Sequence, residues 1–161
     1  DALTRANKEL CRNNEMSMFL TTFLAVLDTE TGMVSYVNAG HNPPAIKHKD
    51  GKWEYMNTQP WLVVGINPDV EYVAKSFQMM NGDLIVLYTD GVTEAENVDK
   101  QLFGEDRLLA NLNGLEGTPT DFVDALKDKI QTFASGEPQS DDITMLMIDY
   151  KNDDINTNKK P

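Results

Sequence analysis

Two short stretches of this chain hold carboxylates where a carboxylate could do chemistry. In GDLIVLYTDGVTE, residues Gly82 to Glu94, a Gly-Asp turn leads into Leu84, Ile85, Val86, Leu87 and Tyr88 and stops at Thr89-Asp90-Gly91. An apolar run of that length between turn residues predicts a strand buried on both faces, with Asp90 at the end of a rigid element. A carboxylate so near a core is costly unless a cation or several donors face it, so Asp90 is a candidate metal ligand. Asp-Gly is also a common exit from a strand, and that plain turn is the competing reading. In the second stretch the order is reversed: Gln139-Ser140-Asp141-Asp142-Ile143-Thr144 precedes the apolar pattern Met145 to Tyr150. If the two strands run antiparallel, the end of one and the start of the other share a sheet edge, and Asp90 meets the Asp141–Asp142 pair. Carboxylates that converge without Lys or Arg repel one another, and a hard divalent cation such as Mg or Mn relieves the repulsion. The alternative is that Ser140-Asp141 only caps a turn.

The remaining sequence supplies elements to hold these groups. Leu3, Ala6, Leu10 and Cys11 recur at helical spacing, so Asp1 to Asn14 reads as the tail of a helix that begins upstream. Met18 to Asp28 and Met33 to Asn38 read as hairpin strands across Thr29-Glu30-Thr31-Gly32, with Phe23, Ala25 and Leu27 expected on a buried face. Asn38-Ala39-Gly40-His41-Asn42-Pro43-Pro44 breaks the sheet; His41 either belongs to a site or, with Asn38, hydrogen-bonds a tight turn. Ala45 to His48 and Lys52 to Met56 form a second hairpin, with His48 on an exposed face, and Trp61 is expected to be buried. Tyr72 to Met79 is a further strand. A helix runs from about Phe103 to Asn113-Gly114. Thr118-Pro119-Thr120-Asp121 starts another, whose apolar stripe is Phe122, Val123, Leu126, Ile130 and Phe133. Glu94 is either an accessory carboxylate or a solvent-facing one. Asn152 to Pro161 has no periodicity and reads as a disordered tail.

Composition narrows the function classes. The 161 residues suit one domain with a real core. A single cysteine, Cys11, rules out an internal disulfide framework and suits a reducing compartment. Neither a long apolar run nor a signal-like segment is present, so the expectation is a soluble, cytoplasmic chain. The formal net charge of −12 argues against nucleic acid and against docking on an anionic membrane.

Taken together and in this order, MFLTTFLAVLD, NAGHNPP, GDLIVLYTDGVTEA, QLFGEDRL and QSDDITMLMI resemble the metal-dependent, phosphatase 2C-like (PPM) protein phosphatases. The closer likeness is to the SpoIIE and RsbU branch, over roughly Leu10 to Tyr150. The resemblance implies an α+β fold, an antiparallel β-sandwich flanked by helices in the order α-β-β-α, with residues 1–150 as the phosphatase domain and 151–161 as its tail. It implies dephosphorylation of phosphoserine or phosphothreonine by a water activated on two Mn or Mg ions, with no side-chain nucleophile. Asp90, Asp141 and Asp142 are the implied metal residues, with Gly91 permitting the close turn and Asp142 alternatively hydrogen-bonding behind the ligands. The implied partners are a phosphorylated anti-anti-sigma (STAS-type) protein and an upstream sensory or receiver domain. The NAGHNPP loop is implied to border the active site. The branch also carries a strand with Gly-Asp-Phe/Tyr-x-Asp and a Gly-His-Gly helix start, neither of which stands in this sequence. The first strand and helix of the domain are therefore expected to be missing, with part of the metal cage. The competing class is a catalytically inactive fragment or a degenerate phosphatase domain used as a binding or regulatory module.

Overall fold

The computed structural model describes residues 2–12, 14–49 and 51–152. In chain order the elements are α1 (Ala2–Cys11), β1 (Thr22–Leu27), β2 (Met33–Ala39), β3 (Ala45–Lys47), β4 (Trp53–Tyr55), β5 (Lys75–Gln78), β6 (Leu84–Tyr88), α2 (Asp90–Thr93), α3 (Gly104–Asn113), α4 (Pro119–Ala134) and β7 (Met145–Asp149). Helices beside antiparallel sheets make the fold α+β, as expected. The elements gather into two compact units, residues 1–43 with 57–79 and residues 44–56 with 80–161. No helix of the described residues is long and apolar enough to cross a membrane.

The first unit holds α1 and an antiparallel sheet of order β1-β2-β5. Its hairpin closes where the Asp28 carboxylate accepts the Glu30 and Thr31 amides at 3.0 Å each, and Gly32 takes φ 75°, which a side chain would resist. Those same amides hold the Asp28 carboxyl below its ordinary range. Val37, Ala39, Val64 and Tyr72 form the unit's small core. Asn7 is wholly buried on α1 and is satisfied there: it donates to the Asn67 carbonyl and accepts from Gly65 N, both at 2.8 Å. Two expectations change here. Phe23 and Leu27 are only half-buried, Ala25 is exposed, and Leu24 and Val26 are 44% and 68% exposed. β1 lies at the edge of its sheet, its strand partner among the described residues being β2, and a shared face is not by itself a covered one. Trp61 is 37% exposed rather than buried, with its ring edge-on to Tyr72.

The second unit builds a sheet of order β4-β3-β6-β7, all antiparallel. Leu84, Val86 and Tyr88 of β6 share one apolar core with residues of α3 and α4, and that core comprises Trp53, Val86, Phe103, Leu108, Leu112, Phe122, Leu126, Ile130 and their neighbours. Full burial of each large apolar side chain is worth about 1.5–3 kcal/mol, so this stripe holds the helices to the sheet. α4 starts as its sequence predicts. Thr118 and Asp121 form a reciprocal capping box with Pro119 in the first turn, and the hydrogen bonds from Thr118 hold the Asp121 carboxyl below its ordinary range. The last turn closes on Ser135 in the left-handed region, φ 52°. Of the expected tail, Asn152 is tied down by its amide to the Asn81 side chain at 3.1 Å, and residues 153–161 lie outside the described residues.

The Gly-Asp turn before β6 does more than turn. Gly82 adopts φ 93°, and Asp83, 1% exposed, accepts from Met80 N and Lys49 N at 2.9 and 3.2 Å and pairs with His48 Nδ1 at 2.9 Å. A buried carboxylate with this many partners fastens the β3–β4 hairpin to the start of β6.

Candidate metal centre

Pairing of β6 with β7 fixes the geometry. Tyr88 lies opposite Met145, and one step further the Thr89 amide donates to the Thr144 carbonyl at 3.0 Å. The chain then leaves the sheet, but not by the simple exit turn that Asp-Gly suggested. Thr89 is extended, with φ −86° and ψ 161°, and Asp90 opens the single helical turn α2. Glu94 N closes that turn on the Asp90 carbonyl at 2.7 Å. The turn carries the Asp90 carboxylate out to solvent, so the burial cost expected of it does not arise. Asp90 Oδ1 accepts the neighbouring Gly91 amide at 3.0 Å.

Gly91 is buried directly against the other stretch. A Cβ at this position would lie 2.6 Å from the Asp142 carbonyl oxygen and 2.9 Å from that of Asp141. Such distances cannot be tolerated, so the absence of a side chain is what lets the 141–142 backbone rest against α2. Side chains tie the same two segments. The Thr89 hydroxyl donates to the Asp142 carbonyl at 2.7 Å and accepts the Thr144 amide at 2.9 Å, while the Ser140 hydroxyl donates to the Glu94 carbonyl at 3.2 Å. Asp141 Oδ1 accepts its neighbour's amide, and Gln139 Nε2 donates to the Asp141 carbonyl, both at 2.6 Å.

The structure thus brings Asp90 and Gly91 to the same end of the β6–β7 pair as Asp141 and Asp142. All three carboxylates are exposed, and among the described residues none is in an ion pair. Asp90, Asp141 and Asp142 offer hard carboxylate oxygens, the donor chemistry that Mg or Mn takes. Among the described residues, no group of three or more His, Cys, Asp or Glu side chains converges closely enough to hold an ion. Glu94 contributes its backbone to the arrangement, and its side chain faces solvent. His41 belongs to the first unit. The buried Asn38 side chain accepts the His41 amide at 2.8 Å and donates to the His41 carbonyl at 2.9 Å, which is the turn-forming role weighed for this pair. Sequence reasoning passed over Thr89, although a hydroxyl directly before a strand-end Asp-Gly is the kind of group that can replace a lost ladder bond.

Residues 1–151 match the family model described as Stage II sporulation protein E (SpoIIE). The chain belongs to the SpoIIE family. It is 36% identical over 141 residues to Protein IcfG of Synechocystis sp. (strain ATCC 27184 / PCC 6803 / Kazusa), covering 87% of this chain and 22% of that protein. It is 34% identical over 92 residues to phosphoserine phosphatase RsbU of Bacillus subtilis (strain 168), covering 57% of this chain and 28% of that one. The SpoIIE-family chain therefore spans under a third of the length of these curated relatives. A Mn-presoaked crystal of the SpoIIE phosphatase domain from Bacillus subtilis superposes with a TM-score of 0.67 at 19% identity, over 94% of this chain and 66% of that one. The fold is accordingly that of the phosphatase 2C-like domains.

Proposed function

We propose that the protein containing this chain removes phosphate from phosphoserine or phosphothreonine on a regulatory protein, in a reaction that depends on Mn or Mg. The observation that carries this reading is the seating of the Asp141 and Asp142 carbonyls on Gly91 beside Asp90. The family match and the printed activity of RsbU support it. When bound, the divalent ions lower the pKa of a water and offset charge on the phosphoryl oxygens. Asp90 and Asp141 hold an ion from two adjacent elements, and Asp142 either joins them or hydrogen-bonds behind them. Gly91 keeps the two segments close enough to share the charge. Asp90, Asp141 and Asp142 are the carboxylates that this chain supplies to the donor set. The substrate is a phosphorylated anti-anti-sigma (STAS-type) protein, the reaction is cytoplasmic, and an upstream sensory or receiver domain governs it.

The test is titration of Mn into the full-length protein with a phosphoserine peptide as substrate. Turnover that rises with Mn and falls on Asp90→Asn or Asp141→Asn supports the reading, and no turnover at saturating Mn sinks it. The second reading, a regulatory module that binds a partner without turning it over, is motivated by the lack of a three-carboxylate group among the described residues. Partner binding without phosphate release in the same assay would favour it.

A further inference from the structure

β6 ends at Tyr88 opposite Met145, the first residue of β7, and residues 142–144 run on past that rung outside the sheet. Thr89 N still donates to the Thr144 carbonyl, but from Asp90 onward the backbone is helical and offers no ladder partner to residues 142–144. The Asp142 carbonyl and the Thr144 N–H would lack a partner on this side, yet both are satisfied by one side chain. The Thr89 hydroxyl donates to the first at 2.7 Å and accepts from the second at 2.9 Å, so it stands in for the missing continuation of the strand. The carbonyl it holds is the one that lies nearest the empty Cβ position of Gly91.

We propose that Thr89 is a positioning residue for the metal site: its hydroxyl fixes the spacing between Asp90 and the Asp141–Asp142 pair, and so sets the affinity for the divalent ion. This rests on the metal reading given above. The threonine methyl group cannot supply the tie, because the donor and the acceptor are both met by the oxygen. Valine keeps the shape and the β-branched fit while removing both bonds, and serine keeps the bonds while removing the methyl group.

Thr89→Val and Thr89→Ser are compared with the parent in the full-length protein by two measurements. The first, made without metal, is hydrogen exchange at the Thr144 amide, read by mass spectrometry at single-residue resolution. The second is Mn affinity, read from the signal of free Mn in electron paramagnetic resonance. Thr89→Val is expected to speed Thr144 exchange by about ten-fold and to weaken Mn binding by about ten-fold, with Thr89→Ser near the parent in both. Unchanged Thr144 exchange in Thr89→Val overturns the positioning role. Faster exchange with parental Mn affinity overturns its link to the metal. Should Thr89→Val fail to fold, Thr89→Ser decides: a ten-fold loss of Mn affinity there places the effect in the methyl group and overturns the proposal. A parent that takes up no Mn refutes the metal reading and this role with it, and that failure is recognised by the exchange difference persisting.

Discussion

Asp90 sits in solvent on the first turn of α2, so its worth comes from what it faces and not from escape out of a core. Asp90→Asn and Asp141→Asn keep shape and remove charge, and each is expected to lower Mn-dependent turnover roughly 100-fold or more, measured on a phosphoserine peptide. Among the described residues of this unit the buried carboxylate is Asp83, which the sequence presented only as a turn residue. Its burial beside Met80, Lys49 and His48 predicts that Asp83→Ala destabilises the protein by about 2–3 kcal/mol in urea unfolding, because three donors lose their acceptor. Asp121 gives a prediction in pH. Its carboxyl is held low by Thr118, so its contribution is fully present above its ordinary pKa of 3.8 and is lost as pH falls through the lowered value. The melting-temperature advantage of the parent over Asp121→Asn should therefore shrink as pH is lowered from about 5 to about 2.

Among the elements, α4 was legible because its signals are local. The start cluster Thr118-Pro119-Thr120-Asp121 and the stripe at 122, 123, 126, 130 and 133 are each readable from near neighbours; the helix starts as read, and the stripe buries Phe122, Leu126 and Ile130 with Val123 and Phe133 half-buried against the same core. Leu126→Ala removes a wholly buried side chain from that stripe and should cost about 2–5 kcal/mol of unfolding free energy. β1 was misread because period-2 alternation says which residues share a face, not whether anything covers that face. α2 was missed because one helical turn leaves too few residues for a period. Its consequence is testable through Gly91: alanine there must displace the 141–142 backbone. Gly91→Ala should thus destabilise by about 1–3 kcal/mol in urea unfolding and weaken Mn binding together, whereas a substitution far from that contact should separate the two effects.

For the whole chain, the formal net charge of −12 disfavours the approach of polyanions. No binding to duplex DNA is expected at about 0.15 M salt by fluorescence anisotropy. Three of the chain's acids, Asp90, Asp141 and Asp142, gather at one end of the β6–β7 pair. The sequence alone determined the strand and helix periods, the antiparallel α+β class, the charge and the motif order, because these depend on residue types and on spacings along the chain. Tertiary structure decided that Asp90 is exposed, that Gly91 is the contact between two segments fifty residues apart, and that the Thr89 hydroxyl spans them. Those facts arise from a mismatch just past the Tyr88–Met145 rung, where the chain leaving β6 turns helical and the segment leading into β7 does not. That mismatch lies between chain segments distant in sequence, and no local pattern encodes it.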